Sequence, residues 1–372
     1  MPTSAIVCAL FAMAVMTMSS QSRPRARDIG IVPGMMEPGP YNAITDVAGV
    51  RVGHTTIVTG DNVRTGVTAI LPHGGNLFQR KTSGAVYVGN AFGKLAGSTQ
   101  VEELGTIESP IVLTNTLSVG TAIDAVVRWT LVQSGNENVR SVNALVGETN
   151  DGGLSDIRGL HVTREHVTAA IIGAREGAVD EGAVGAGSGT IAFGWKGGIG
   201  TSSRRVAAEG QTYTIGVLVQ SNYGGRLTIA GVPVWKELSP RTSAGAAPRD
   251  LDSGTADGSC MIVVATDAPL TAKDLKRVAA RGIFAMARTG STYSNGSGDF
   301  AIAFSTAAAS SGSPGPPDSI SALFEATLDA TEEALYNSIL KATDTTGNGR
   351  TIRALPIDEL TRLLQKYGRS TR

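Results

Sequence analysis

Runs of apolar residues alternate with amphipathic segments along most of the chain. Short, continuous apolar stretches with β-branched residues predict strands that are buried in a sheet. The clearest predicted strands cover residues 67–71, 111–114, 144–146, 213–219, 261–265 and 300–304. Segments with helical periodicity lie between them. This alternation favours a layered α/β fold.

Helical periodicity is clearest in the C-terminal third of the chain. The predicted helices cover residues 271–288, a segment between 320 and 339 that follows the Gly- and Pro-rich breaker 311–317, and a short stretch after Pro356. Thr271 and Asp274 form the polar start that is typical of a capped helix N-terminus. One predicted helix thus lies between the last two predicted strands, and two follow them.

One junction in this pattern has chemical consequences. Residues 239–258 are rich in Pro, Gly and small polar residues and predict an exposed linker, whereas a fully apolar strand starts directly after Ser259. Gly258 has no Cβ and can adopt a strained backbone that lets the Ser259 hydroxyl reach the preceding carbonyl. Cleavage of that bond would give Ser259 a free α-amine with a pKa of about 8, a base beside a nucleophile.

Two other interpretations of this junction remain open from the residues alone. Ser259 can simply begin an ordinary strand after a loop, since such junctions are common. Cys260 can instead be the freed N-terminal nucleophile, because a thiol is also able to attack an acyl group.

Other motifs exclude several classes of site. The Gly-rich segment 182–190 lacks the spacing of a phosphate-binding loop and predicts a turn at a hairpin. Segment 344–349 resembles the start of a calcium loop, but Leu355 stands where the bidentate Glu belongs. The four histidines are scattered without metal-site spacing, and no G-x-S-x-G elbow occurs. We therefore expect no metal and no cofactor.

Composition narrows the classes of partner. The 372 residues carry 32 basic and 32 acidic side chains, so net charge gives no reason to expect a nucleic-acid partner. The 47 glycines favour a sheet-rich fold with many tight turns over one of long helices. Cys8 and Cys260 are not expected to form a stabilising disulfide, so the cysteines do not indicate whether the protein works in a reducing or an oxidising compartment.

The N-terminus predicts export. Residues 4–18 form an apolar run that is short for a membrane span and is followed by Ser, Gln and Arg, so residues 1–25 are predicted to be a signal peptide or an N-terminal extension. The mature protein would then be periplasmic or secreted, without a membrane anchor. Arginines after the run and the lack of a clear cleavage site argue for the alternative, a cytoplasmic protein with an N-terminal extension.

Ordered motifs over nearly the whole chain after residue 40 resemble one known family, the β-peptidyl aminopeptidase / L-aminopeptidase–D-esterase family of self-processing N-terminal-nucleophile hydrolases. The motifs are 49–56 (GVRVGHTT), 64–73 (RTGVTAILPH), 89–94 (GNAFGK), 113–117 (LTNTL), 146–152 (VGETNDG), 198–204 (GIGTSSR), 217–225 (VLVQSNYGG), 255–270 around Ser259, and 295–300 (NGSGDF).

The resemblance implies an architecture and a processing scheme. The expected fold class is α/β, a layered αββα sandwich like those of N-terminal-nucleophile hydrolases. Residues 26–372 would form one catalytic domain, cleaved between Gly258 and Ser259 into chains 26–258 and 259–372. The family alignment puts an apolar residue at Cys260, which makes it a core residue. The family also implies a homo-oligomer of processed heterodimers.

Family roles can be carried onto matching residues. Ser259 would be the nucleophile and Asn222 the amide that stabilises the oxyanion. Ser297 and Asp299 match a serine and an acid that relay protons near the nucleophile. Asp stands here where β-peptidyl members carry Glu, so the acid is one methylene shorter and its detailed role stays open. Without the resemblance, Asn222 and segment 295–299 would simply be turn residues.

Two further residues match the substrate site of the family. Glu148 corresponds to the acid that holds the substrate's free ammonium through a charge-assisted hydrogen bond, and Asn150 is placed in the same pocket.

The expected activity is an aminopeptidase that removes N-terminal β-amino acid residues from short peptides and amides through an acyl-enzyme. The alternatives are the L- or D-aminopeptidase or esterase preference of the same family, and a non-catalytic binding protein on this scaffold.

Overall fold

Two β-sheets form the centre of the protein. The structure, a computed structural model, describes residues 23–208, 210–240, 258–307 and 317–369. Its strands are β1 Arg51–Thr59, β2 Val63–Leu71, β3 Thr82–Ala91, β4 Leu95–Ala96, β5 Thr106–Ile107, β6 Ile111–Asn115, β7 Leu145–Thr149, β8 Ile191–Ala192, β9 Trp195–Lys196, β10 Gly198–Ala208, β11 Gln211–Asn222, β12 Ser259–Thr266, β13 Gly298–Ser305, β14 Thr345–Gly347 and β15 Arg350–Ile352.

Helices cover the outer faces of both sheets. They are α1 Ser98–Leu104, α2 Val119–Leu131, α3 Arg164–Ile172, α4 Val234–Glu237, α5 Ala272–Arg288, α6 Pro317–Leu340 and α7 Ile357–Lys366. Among the described residues, none of these helices is both long enough and apolar enough to cross a bilayer.

The two sheets differ in strand order. The first has the order β1-β2-β6-β7-β4, and the second has the order β10-β11-β12-β13-β3-β5. Neighbours are antiparallel except for β6 with β7 and β12 with β13, which are parallel. The strand that begins at Ser259 therefore lies in the middle of the second sheet, between β11 and β13.

Three apolar layers hold the sheets and helices together. Side chains from both sheets, such as Ile70, Leu113, Met261 and Phe304, fill the space between the sheets. The outer face of the first sheet packs on α2 and α3, and that of the second packs on α5, α6 and α7. This order of layers is an αββα sandwich, as the resemblance implied.

The predicted elements and the observed ones agree where the apolar signal is strong. All six predicted strands are present, and the predicted helix 271–288 is α5, whose N-cap residue Thr271 accepts a hydrogen bond from the backbone N–H of Asp274. Strands β1, β3 and β10 have no counterpart in the prediction, because polar residues interrupt their apolar pattern. Segment 344–349 contributes β14 and the turn of a hairpin.

The Gly-rich segment 182–190 is not the hairpin turn that was predicted. Gly185–Gly187 form a buried 3₁₀ turn that packs against β1, β2 and β10. Its backbone approaches these strands so closely that a Cβ on Gly187 would lie 2.5 Å from the backbone nitrogen of Ile199. Glycine is needed here for close packing between backbone segments.

The N-terminal prediction falls mostly outside the described residues, which begin at Arg23. Arg23 donates hydrogen bonds to the carbonyls of Leu340 and Leu355, and Arg25 donates one to the carbonyl of Thr201. These two residues, assigned to the N-terminal extension from the sequence, are thus bonded to the folded domain.

A buried ion pair links β10 to α6. Arg204 and Glu333 are both fully buried, and their nearest charged atoms lie 2.7 Å apart. Glu333 also accepts hydrogen bonds from Arg27 and from the side-chain amide of Asn42. If the charge of this carboxylate is removed, the buried Arg204 guanidinium loses the anion that compensates it.

We expect Glu333→Gln to lower the free energy of unfolding by about 3 kcal/mol, because two arginines then lack their shared anion. Urea denaturation in a Ser259→Ala background, which keeps the chain as one polypeptide, measures the change. Asp124→Asn is the control, since its pairing with Arg128 is on the surface, and it should leave the free energy of unfolding almost unchanged. Equal effects of the two substitutions would contradict this prediction.

Candidate active site

Ser259 begins β12 at the edge of the space between the two sheets. Met261 and Val263 point into that space, whereas Cys260 and Ile262 pack under the helices. Side chains alternate along a strand, so Ser259 shares the face of Met261. Cys260 is fully buried among apolar residues, which agrees with its assignment to the core rather than to a nucleophile.

The Ser259 hydroxyl contacts the bond that precedes it. Its Oγ donates a hydrogen bond of 2.7 Å to the carbonyl oxygen of Gly258, and the same oxygen accepts one of 3.1 Å from the backbone N–H of Gly298. Two donors therefore polarise the carbonyl between the linker and β12. The sequence did not predict the contact with Gly298, because a backbone N–H is present in almost every residue and gives no pattern in the sequence.

Gly258 is required by space. A Cβ at this position would lie 2.5 Å from both the carbonyl oxygen of Asn222 and the Cα of Tyr223. The backbone of Gly258 is outside the left-handed region. Glycine is therefore needed at position 258 because it has no side chain, and not because of the unusual backbone conformation that the sequence suggested.

Asn222 ends β11 directly opposite Ser259 in the antiparallel register. Residues opposite each other in such a pair project their side chains to the same face. The Asn222 Nδ2 donates to the carbonyl of Asn150 at 3.0 Å, and its Oδ1 accepts from the backbone N–H of Ile191 at 2.9 Å. Both ends of the amide are fixed, and Nδ2 keeps a second hydrogen for another acceptor.

Ser297 and Asp299 form a buried pair at the start of β13. The Ser297 hydroxyl donates a hydrogen bond of 2.8 Å to Asp299 Oδ1. Burial raises the pKa of the Asp299 carboxyl to about 6, although the bond from Ser297 opposes the shift. Asp299 shares its face with Ala301 under the helices, so in the uncleaved chain its carboxylate and the Ser259 hydroxyl have different partners.

Glu148 approaches the nucleophile from the other sheet. Its Oε1 accepts the backbone N–H of Lys94 at 3.0 Å, its Oε2 accepts the Thr116 hydroxyl, and the Lys94 ammonium lies 3.7 Å from Oε1. Gly93 lies between Glu148 and Gly298, the residue that pairs with Ser259. A Cβ on Gly93 would be 3.2 Å from both Glu148 Oε1 and the Cα of Gly298. The structure thus brings a buried carboxylate to the strand ends that carry Ser259.

Asn150 follows β7 directly and begins a turn. Its side chain is exposed, and Oδ1 accepts the backbone N–H of Gly152 within the same turn. Its carbonyl oxygen is the acceptor for Asn222 Nδ2. The contact that the structure describes is therefore with the Asn222 amide, through the backbone, and not with Glu148.

The resulting arrangement suits acyl transfer. A buried serine hydroxyl, a fixed side-chain amide and two buried carboxylates lie at or near the ends of β7, β11, β12 and β13, and groups of these kinds serve in acyl transfer. Within the described part of the chain, no group of three or more His, Cys, Asp or Glu side chains is arranged to hold a metal ion.

Comparison with known proteins decides the family. The model of peptidase family S58 matches residues 42–352. The chain belongs to this family. The resemblance drawn from the motifs is thereby confirmed.

Curated and structural relatives of this S58 chain agree with one another. It is 44% identical to the β-peptidyl aminopeptidase BapA of Sphingosinicella microcystinivorans, over 94% of each chain. A β-aminopeptidase structure from Burkholderia sp. shares 39% identity with a TM-score of 0.82, covering 93% of this chain and 99% of the other. The L-aminopeptidase D-Ala-esterase/amidase of Ochrobactrum anthropi shares 37% identity with a TM-score of 0.82 over the same shares.

These structures also confirm the predicted fold class. The Ochrobactrum anthropi enzyme is described as a prototype of the serine aminopeptidases and as a variant of the N-terminal-nucleophile hydrolase fold. The S58 chain is accordingly a serine-type peptidase with that fold. The individual roles assigned to Ser259, Asn222, Ser297, Asp299 and Glu148 remain predictions.

The raised pKa of Asp299 predicts a pH-dependent stability. The carboxyl titrates near 3.8 when unfolded and at about 6 when folded, so the folded chain holds the extra proton between these values. Stability from this group is then complete below about pH 4 and is lost as the pH rises through 6, by up to about 3 kcal/mol. Urea denaturation of the uncleaved Ser259→Ala chain should show this decline.

The control is Ser259→Ala combined with Asp299→Asn, which should lose part of that slope. The Asp151 carboxyl, whose pKa burial also raises to about 6, is common to both chains and drops out of the difference. Parallel stability curves for the two chains between pH 4 and 6 would contradict the assignment.

Proposed function

We propose that this S58 peptidase removes N-terminal β-amino acid residues from short peptides and amides, after it has cleaved its own chain between Gly258 and Ser259. The proposal depends on one observation above the others: the Ser259 hydroxyl lies 2.7 Å from the carbonyl oxygen of the bond it would cleave. The 44% identity to a β-peptidyl aminopeptidase supplies the substrate class.

Self-cleavage follows from this contact. The Ser259 Oγ attacks the Gly258 carbonyl carbon, the C–N bond breaks, and the hydroxyl proton passes to the leaving nitrogen of Ser259. The resulting ester is hydrolysed by water, which leaves a carboxylate on Gly258 and restores the hydroxyl. The N–H of Gly298 is already bonded to the carbonyl oxygen on which negative charge develops.

Substrate hydrolysis reuses the same groups. The freed α-amine of Ser259 accepts the hydroxyl proton as Oγ attacks the substrate carbonyl, and it returns that proton to the leaving amine. Water then hydrolyses the acyl-enzyme ester, which releases the amino acid and restores the Ser259 hydroxyl. Asn222 Nδ2 offers its second hydrogen to the oxyanion, and departure of Gly258 frees the N–H of Gly298 for the same purpose. The Ser297 hydroxyl donates to Asp299, whose raised pKa of about 6 lets the carboxyl gain or lose a proton close to neutral pH, which suits a proton relay.

Recognition of the free amine is assigned to Glu148. Its carboxylate is 3% exposed and faces the strand ends that carry Ser259. A substrate ammonium would form a charge-assisted hydrogen bond with this carboxylate. A substrate with a blocked amine could not form that bond and would bind less well.

A second substrate preference has support from the comparisons. The 37% identity to an L-aminopeptidase D-Ala-esterase/amidase allows ordinary α-amino acid amides or esters as the better substrates. A panel of matched β-homoamino and α-amino p-nitroanilides distinguishes the two. Faster turnover of the α-amino series would replace the β-peptidyl assignment within the same mechanism.

Assembly and location complete the proposal. We propose a homo-oligomer of processed heterodimers in the periplasm or outside the cell, on the family resemblance and on the apolar residues 4–18. Light scattering of the processed protein and N-terminal sequencing of protein from cell fractions test these two points.

The purified protein should consist of two fragments, of about 24 kDa and about 12 kDa as scaled from chain length without the N-terminal segment. The smaller should begin Ser-Cys-Met-Ile-Val. Ser259→Ala removes the attacking oxygen and should give one folded, inactive chain, whereas Ser259→Cys keeps a nucleophile and should still cleave itself. An alanine variant that cleaves itself and turns over substrate would show that Ser259 is structural, and an intact wild-type chain without activity would favour a binding protein.

Glu148→Gln should raise KM for a β-homoamino acyl p-nitroanilide by about 10-fold or more, because the ammonium loses its charged partner. Wild-type protein should not hydrolyse the N-acetylated substrate. Self-cleavage presents no ammonium, so the variant should still process. Glu137→Gln, an exposed acid in a surface loop, is the matched control and should behave as wild type. Equal hydrolysis of free and acetylated substrates by the wild type would remove this role from Glu148.

A further inference from the structure

A lysine is fully buried close to the proposed oxyanion site. Lys196 ends β9 and has no exposed surface. Its ammonium donates three hydrogen bonds, to the carbonyls of Gly187 and Thr190 at 2.9 Å and to that of Gly197 at 2.7 Å. All three of its protons are donated to backbone carbonyls.

An acid accompanies this lysine. Asp151 is also buried, and its attraction partly offsets the effect of burial, which lowers the pKa of Lys196 to about 7. Burying a cation without such partners costs several kcal/mol. Lysine is rarely fully buried in folded proteins, so its burial at position 196 indicates a role that an apolar side chain could not fill.

The groups around Lys196 are those that hold Asn222. Thr190, which Lys196 binds, directly precedes Ile191, whose N–H donates to Asn222 Oδ1. Asp151 directly follows Asn150, whose carbonyl accepts from Asn222 Nδ2. One of the two bonds that fix the Asn222 amide therefore comes from the residue after Thr190, whose carbonyl Lys196 binds, and the other comes from the residue before Asp151.

We propose that Lys196 is a positioning residue for catalysis, which fixes segment 187–191 by its contacts with the carbonyls of Gly187 and Thr190 and thereby holds the Asn222 amide in the orientation that an oxyanion requires. The inference rests on the proposed role of Asn222. Lys196 itself touches no substrate atom, and its effect passes through the N–H of Ile191.

A double-mutant cycle tests the pathway. Lys196→Met, Asn222→Ala and the double variant are compared with wild type on a β-homoamino acyl p-nitroanilide, with rates normalised to processed chain. Asn222→Ala should lower kcat by about 10²–10³-fold. Lys196→Met should lower kcat by about 10-fold or more with KM unchanged, and by less than about 2-fold once Asn222 is already alanine.

A purely structural lysine gives a different pattern. It would lower the amount of folded protein and leave kcat per processed chain unchanged, or would lower kcat equally in both backgrounds. Arg204→Met is the matched control, a buried cation bonded to carbonyls and to Glu333, and it should lose stability but keep kcat. Either structural pattern for Lys196→Met overturns the proposal.

Two further outcomes are distinguishable. If Lys196→Met does not fold, Lys196→Gln keeps two N–H donors and is measured in the same cycle; if neither folds while Arg204→Met does, the lysine is a folding determinant and the proposal fails. A wild type that hydrolyses no β-homoamino substrate contradicts the proposed function. An active wild type whose Asn222→Ala variant keeps its kcat contradicts only the pathway through Asn222.

Discussion

The register of β11, β12 and β13 is the constraint on which the rest of the site depends. Asn222 and Gly298 are both paired with Ser259, one in an antiparallel and one in a parallel ladder. A slip of one residue would turn Ser259 to the opposite face and replace it with Cys260. The apolar residues that follow on β12 oppose this, because a slip would exchange Met261 and Val263, which pack between the sheets, with Ile262 and Val264, which pack under the helices. Core packing thus determines where the Ser259 side chain points.

This explains why the sequence predicts some parts of the site and not others. The strand after Ser259 and the linker before it differ so sharply in composition that the junction is visible without a structure. Glu148 and Ser259 meet only because two sheets stack, with Gly147 leaving room for Met261. Backbone contacts such as the N–H of Gly298 carry no residue signal at all. Family motifs supplied Glu148 and Asn222, whereas periodicity alone would have left both as ordinary polar residues.

The same limit applies to the fold. Strands buried on both faces are continuous apolar runs, and all of those predicted were found. Strands β1 and β3 carry Thr, Ser, Gly and His among their apolar residues, so their pairing depends on neighbours far along the chain. The buried 3₁₀ turn at Gly185–Gly187 belongs to the same class. Its composition indicates a surface turn, and only the packing of two sheets and the Lys196 ammonium makes it an interior segment.

Cleavage between Gly258 and Ser259 would remove hydrogen-bond partners from polar groups in the site. The bond from Gly298 to the Gly258 carbonyl holds the end of the linker against β13 in the intact chain. Once that carbonyl leaves, the N–H and the new α-amine both lack partners, a state that costs free energy unless a substrate or water occupies the site. The fold must therefore hold the strand ends in place by other means. Pairing along β11 and β13, the buried Arg204–Glu333 contact between the two segments, and the Lys196 anchorage of Asn222 all lie outside the bond that is cut, so the site can keep its geometry after the chain is divided.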